Sequence, residues 1–194
     1  GLVRPDHVKR NIGAKPGDKL ILGKGLGVGI YSAAFKKGEL TEHDYDAMIA
    51  STTQLNTPGP ALACLDGVHA VTDVTGFGLA GHLLEICKAS RVAANLDFNA
   101  LPLLPNVLDY ARAGHITGAS TRNLQSYGTL LTLADRLGEP ERMLLADPQT
   151  SGGLLVSCSP ETVTEVLSIF LQQGFERASV VGEVIEGLPG VVVG

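Results

Sequence analysis

Disulfide chemistry is what this sequence lacks first. Its cysteines, Cys64, Cys87 and Cys158, are odd in number, widely spaced and free of any CxxC pair. No disulfide framework can be built from them, and a reducing, cytoplasmic setting is expected. They read as small core residues. Charge is also sparse: 18% of residues are charged, the net is −5, and the basic residues are scattered. Nothing resembles a basic stripe, so a nucleic-acid partner is not expected, nor are long disordered tails. No run approaches the roughly 18 apolar residues of a membrane span, and no signal peptide opens the chain. The histidines, His7, His43, His69, His82 and His115, stand without a second ligand at metal spacing, which speaks against zinc. His82 falls at the head of an expected helix, where a solvated or capped imidazole is the default. There is no G-x-S-x-G. The chain begins abruptly at Gly1-Leu2, as a cloning scar or a cut inside a longer polypeptide would.

Apolar residues and glycine are what it has. A hydrophobic fraction of 44% over 194 residues supports a real core. The 24 glycines exceed the usual share of about 7%, which means tight turns or a backbone that comes close to a ligand. Short apolar strands are expected at Leu20–Leu22, 68–74, 92–98, Leu154–Ser157 and in the closing ASVVGEVIEG and GVVVG. Helices are expected over 41–56, where Thr41 is the N-cap with acids in the first turn; over 79–90, from the spacing of Leu79, Leu83, Ile86 and Cys87; and within 100–114, stopping at Gly114. The clearest helix is 159–174, with Ser159 as N-cap and Pro160 at its first position. TPGPALACLD reads as a connector with room for a short helix, STRNLQSYG as a polar loop, and the segment ahead of Leu154 as turn-rich. Strands and helices alternate, so the class is α/β (α+β), a mixed sheet packed by helices.

Three glycine clusters carry the functional signal. The first is TDVTGFGLAGH, residues 72–82. Gly76, Gly78 and Gly81 spell G-x-G-x-x-G between a strand and a helix, with Asp97 about twenty residues on, as in a dinucleotide fingerprint. Against that stands Asp73, three residues before the first glycine, where an anion would repel a pyrophosphate. A cation answers better. Asp73 offers a hard oxygen to Mg²⁺, which takes one or two carboxylates plus substrate phosphates. The glycines let amides near phosphate oxygens, and the helix N-terminus adds positive potential. The bland alternative is that Asp73 caps a turn and the glycines only permit strand–helix packing. The second cluster is GKGLGVG, 23–29. Five residues separate Gly17 from the Gly23-Lys24 pair, and Gly25 replaces the Ser/Thr, so it is not a Walker A loop. A strand-to-helix turn explains it, although Lys24 could still meet a phosphate. The third is DPQTSGG, 147–153, an Asx-turn loop or a backbone nest at a cleft.

TDVTGFGLAGHLLEI and DPQTSGGLLV together resemble selenophosphate synthetase, the selenide, water dikinase, within the PurM-like (AIR synthase-related) ATP enzymes. GDKLILGKGLGVGI, which resembles the family's G-D-x-L-x-L-T-K-P-L-G-T-G-I, and the closing VVGEV support this. The resemblance implies a PurM C-terminal-like domain over residues 1–194, with 1–16 as the lead-in from an absent amino-terminal domain. It implies the conversion of ATP, selenide and water to selenophosphate, AMP and phosphate, with Mg²⁺ as cofactor. In such a protein Asp73 would be the metal ligand and the backbone at Gly76 and Gly78 would meet phosphates. The catalytic Cys or selenocysteine, its Lys, most ATP contacts and two further metal-binding aspartates belong to the absent half, so no catalytic residue is expected here. The full-length protein would be a homodimer. The sequence departs from the pattern at 23–29, where a proline and two threonines are lost, so the resemblance does not carry a side-chain ligand role over to this loop, though a backbone role remains. A dinucleotide-binding domain using Gly76, Gly78 and Gly81, and a non-catalytic α/β binding module, remain as alternatives.

Overall fold

The computed structural model describes Pro5 and residues 8–194; Gly1, Leu2 and His7 of the preceding section lie outside them. Seven strands form one mixed sheet: β1 (Lys19–Leu22), β2 (Val68–Asp73), β3 (Ala93–Leu96), β4 (Leu131–Leu133), β5 (Leu154–Cys158), β6 (Ser179–Ile185) and β7 (Val191–Val193). Their order is β2-β5-β1-β6-β3-β7-β4. The pairs from β2 through β3 are antiparallel, and β3-β7 and β7-β4 are parallel. The helices are α1 (Val28–Lys36), α2 (Glu42–Thr53), α3 (Gly59–Ala63), α4 (Gly78–Ser90), α5 (Val107–Arg112), α6 (Gly118–Tyr127), α7 (Glu139–Leu145) and α8 (Val163–Gln172).

Alternation along the strands divides the core. Leu20, Leu22, Ala70, Ala94, Leu96, Leu155, Val181 and Val184 face one way and join Ile30 and Tyr31 of α1, Leu79 and Leu83 of α4, and Leu144 of α7. Ile21, Val68, Val156 and Cys158 face the other way onto Leu62 of α3 and Val166 and Phe170 of α8. Each buried Leu, Ile or Phe contributes about 1.5–3 kcal/mol of transfer free energy, so the larger layer holds the fold. The second face is covered only at its β2-β5-β1 end; around Asn95, Val180 and Glu183 it is a shallow open hollow of about 500 Å³.

The expected fold class stands, with local corrections. STRNLQSYG is helix, not loop: Thr117 Oγ1 accepts from Ser120 N–H and starts α6. The turn-rich stretch contains β4 and α7. Residues 160–162 form a 3-10 turn before α8, and the Ser159 hydroxyl meets that of Thr162 instead of capping backbone. Cys87 and Cys158 are core residues, but Cys64 is exposed. Thr41 caps α2 as expected.

Described residues 9–14, ahead of β1, lie along the edge strand. Val71 N–H donates to the Arg10 carbonyl, Lys9 Nζ reaches the Leu65 carbonyl, and the amides of Gly13 and Ala14 donate to Ser90 Oγ. Asp18, buried, takes Ser157 Oγ at 2.7 Å and His69 Nδ1 at 2.8 Å.

Candidate functional site

β2 ends at the rim of the sheet, and its last residue is Asp73. The strand's burial falls away along its length, so this carboxylate is exposed. Among the described residues no group pairs with it. The chain then turns through Val74–Phe77 into α4. Gly78 takes φ 70°, and a Cβ there would lie 2.7 Å from the Ala146 carbonyl carbon, so packing against the end of α7 demands glycine. A Cβ on Gly81 would come within 2.9 Å of the Tyr127 ring. Gly76 differs, since a Cβ there would meet nothing. Two of the three fingerprint glycines therefore serve packing, and Gly76 faces open space.

Three of the turn's carbonyls are engaged. That of Thr75 accepts from Gln149 N–H (3.0 Å) and Gly78 N–H (3.1 Å). That of Gly76 accepts from Asn123 Nδ2 at 2.9 Å, and that of Phe77 from the Tyr127 hydroxyl at 2.6 Å. Among the described residues nothing accepts from the amides of Gly76 and Phe77. The Gly78 amide, by contrast, is committed inside the turn. His82, for which a solvated or capped imidazole was expected at the head of α4, is not solvated. It is buried, with Nε2 beside Thr75 Oγ1 and Nδ1 beside Glu85 Oε2, each at 3.1 Å. Asn123, Tyr127 and Gln149 were not singled out from the sequence. The cap at Thr117 was the available signal for the first two.

The second and third glycine clusters meet each other. Lys24 is buried, and its Nζ donates to the carbonyls of Ser51 (3.1 Å), Gln54 (2.5 Å) and Ser151 (2.7 Å). All three protons are spent, so Lys24 is a strut, and the phosphate contact left open for it is not available. Burial lowers its pKa. The N-terminus of α1, which a glycine loop could have offered to an anion, is filled from within. Gln149 Oε1 accepts from Gly27 and Val28 N–H (3.1 and 3.2 Å), and Asp147 Oδ2 accepts from Gly29 N–H at 2.9 Å. DPQTSGG is thus a capping loop for another helix. Ser151, in its exposed part, has φ 50°. A cavity of about 390 Å³ opens beside Lys24, between α2, Leu104 and the Gly174–Arg177 turn.

The N-terminus of α4, set among Gly76, Gly78 and Gly81, has no side-chain cap and adjoins the bare Asp73 carboxylate. No cluster of three His, Cys, Asp or Glu side chains able to hold a metal exists among the described residues. Asp73 suits one hard-oxygen position of a site completed from elsewhere. The dinucleotide alternative fails on topology. Asp97 follows directly on β3, and β5, β1 and β6 lie between β2 and β3, which puts the two strand ends roughly 19 Å apart at sheet spacing. The acid of that fingerprint belongs on the neighbouring strand. Asp97 instead caps its own turn, accepting from Asn99 N–H.

The sheet and the glycine turn at its rim define the class, and the comparisons agree. Residues 15–194 match the model of the AIR synthase related protein, C-terminal domain, and the chain belongs to that family. At the level of individual proteins it is similar to selenide, water dikinases: 66% identical over 193 residues to that of Dechloromonas aromatica (strain RCB), covering 100% of this chain and 56% of the relative. It is 54% identical to that of Pseudomonas straminea, covering 100% and 54%. The chain spans about half the length of the curated relatives it matches. Among solved structures, thiamine-monophosphate kinase from Stenotrophomonas maltophilia K279a superposes with TM-score 0.66 at 20% identity, over 98% of this chain and 54% of that one. Hydrogenase maturation protein HypE in complex with ATP gives 0.67 at 19%, over 100% and 52%. These last two carry the fold alone.

Proposed function

We propose that this chain is the carboxy-terminal half of an ATP-dependent selenophosphate synthetase that converts ATP, selenide and water to selenophosphate, AMP and phosphate. Two things support the reading: the identity to selenide, water dikinases along the whole chain, and an exposed, unpaired Asp73 beside an outward amide edge. The second observation carries the mechanism.

Phosphoryl transfer asks a protein mainly for positioning and charge neutralisation. Asp73 would be one oxygen ligand of Mg²⁺, which when bound supplies neutralisation of charge on the phosphates. The amides of Gly76 and Phe77, with the N-terminal end of α4 behind them, would orient phosphate oxygens. Gly78 shapes the turn and leaves the phosphate contact to Gly76. Asp147, Gln149 and Lys24 hold the wall next to this edge and do not touch substrate. One carboxylate binds Mg²⁺ weakly, so an amino-terminal half must supply the remaining ligands and the nucleophile. Residues 1–16 are then its connection, the full-length protein is a homodimer, and this chain alone has no turnover.

Asp73→Ala in the full-length enzyme tests this. Near-complete loss of ATP-dependent selenophosphate formation, with an unchanged melting temperature, is expected. Retained activity removes Asp73 from the metal site.

A further inference from the structure

Helix α6 has no place in the mechanism so far, yet it supplies two side chains that reach directly into the turn beside Asp73. Asn123 and Tyr127 sit four residues apart, on one face of the helix. Both are buried, at 8% and 7% exposure. Asn123 Nδ2 donates to the Gly76 carbonyl at 2.9 Å and to the Ala146 carbonyl at 3.0 Å, tying the turn to the end of α7. The Tyr127 hydroxyl donates to the Phe77 carbonyl at 2.6 Å, and its ring fills the space a side chain at position 81 would need. Burial raises the Tyr127 pKa, so the hydroxyl keeps its proton and remains a donor.

A trans peptide is planar, and its C=O and N–H point in opposite directions. Drawing the Gly76 carbonyl inward onto Asn123 therefore turns the Phe77 N–H outward. Drawing the Phe77 carbonyl onto Tyr127 turns the Gly78 N–H back to the Thr75 carbonyl, which closes the turn. The Thr75 carbonyl, held by Gln149 N–H, in the same way aims the Gly76 N–H outward. Asn123 thus sets the Phe77 N–H directly, while Tyr127 acts one step removed: it fixes the Gly78 N–H on the Thr75 carbonyl, whose own peptide carries the Gly76 N–H.

We infer that Asn123 and Tyr127 are positioning residues that preset the amide edge of the 75–78 turn for phosphate oxygens, acting through the backbone without touching the ligand. This rests on the reading of Asp73 and its turn as the Mg²⁺–nucleotide edge. An edge fixed before binding costs no ordering of the turn when the ligand arrives. Loss of either anchor releases a peptide plane and leaves a carbonyl unpaired.

The test uses the full-length enzyme carrying Tyr127→Phe, Asn123→Leu or Asp73→Ala. Binding of the magnesium complex of a non-hydrolysable ATP analogue is followed by calorimetry, KM and kcat by turnover, and stability by thermal melts. Tyr127→Phe keeps the ring in place and decides the matter if Asn123→Leu does not fold. We expect each α6 variant to bind the magnesium–analogue complex about fivefold more weakly, the effect of one lost hydrogen bond, with KM raised more than kcat is lowered. If Asp73→Ala abolishes binding while the folded α6 variants bind like wild type and merely melt earlier, the two side chains serve the fold alone and the inference is overturned. If Asp73→Ala binds and turns over normally, the underlying reading of the site falls with it.

Discussion

Asp147 is a carboxylate held under electrostatic tension. It is fully buried, and burial pushes its pKa up to about 7, while bonds from the Ile30 amide, Gln149, the Gly29 amide and Ser120 pull the other way. Its folded pKa therefore lies above the unfolded value of about 4. The native state holds the proton more tightly, so this group's contribution to stability is full below about pH 4 and is lost as pH rises through about 7. Asp147→Asn cannot titrate. Between pH 5 and pH 8 the wild-type protein should lose on the order of 2 kcal/mol relative to this variant, read from urea midpoints at the two pH values. Parallel behaviour of the two proteins would show that Asp147 keeps an ordinary carboxylate pKa. Lys24 is the complementary case, a cation at the carbonyl end of α2, where the helix dipole favours it, with its protons given to three backbone oxygens. Residue identity suggested a phosphate ligand for Lys24. The sequence carries no sign that α2 and the third loop would close around it, because those partners come from positions 51, 54 and 151.

At the scale of elements, the start of α4 separates packing from binding. A methyl at position 78 meets the backbone of Ala146 and needs an unfavourable φ, so Gly78→Ala should cost roughly 2 kcal/mol or more. A methyl at position 76 meets nothing, so Gly76→Ala should stay within about 0.5 kcal/mol of wild type yet weaken magnesium–nucleotide binding in the full-length enzyme. Thermal melts and a nucleotide titration on both variants check the pair; equal binding by Gly76→Ala and wild type would remove that glycine from the ligand edge. β2, α4 and their junction were legible because apolar periodicity and a glycine-rich turn coincide there. Helix α6 was not. Its buried stripe is Ser120, Asn123 and Tyr127, positions at helical spacing but mostly polar, so a search for apolar period passes over it. The same polarity lets the helix hold backbone carbonyls. β4, at three residues, is too short for any alternation to register, and α7 has only Leu144 and Leu145 buried.

For the molecule as a whole, the mixed sheet was legible from alternating elements and the strand order was not, since order depends on pairings between residues such as Leu22 and Ser179. That order puts Asp73 at one margin of the sheet with a single carboxylate to offer. The chain alone should therefore bind Mg²⁺ no more tightly than about 1 mM, while the full-length enzyme binds it well. Calorimetric titration of both with MgCl₂ checks this, and tight binding by the chain alone would mean that it contains a complete site.

The bond from Val71 N–H to the Arg10 carbonyl has one more result. It anchors the lead-in about two residues' rise, roughly 7 Å, from Asp73. If the proposed reading holds, a polypeptide joined upstream of that anchor would be tethered next to the carboxylate whose metal site it completes. On that reading, groups upstream that share the Mg²⁺ would then search a small volume around Asp73, at an effective concentration of about millimolar for a short link, so that a modest intrinsic affinity on each side would suffice.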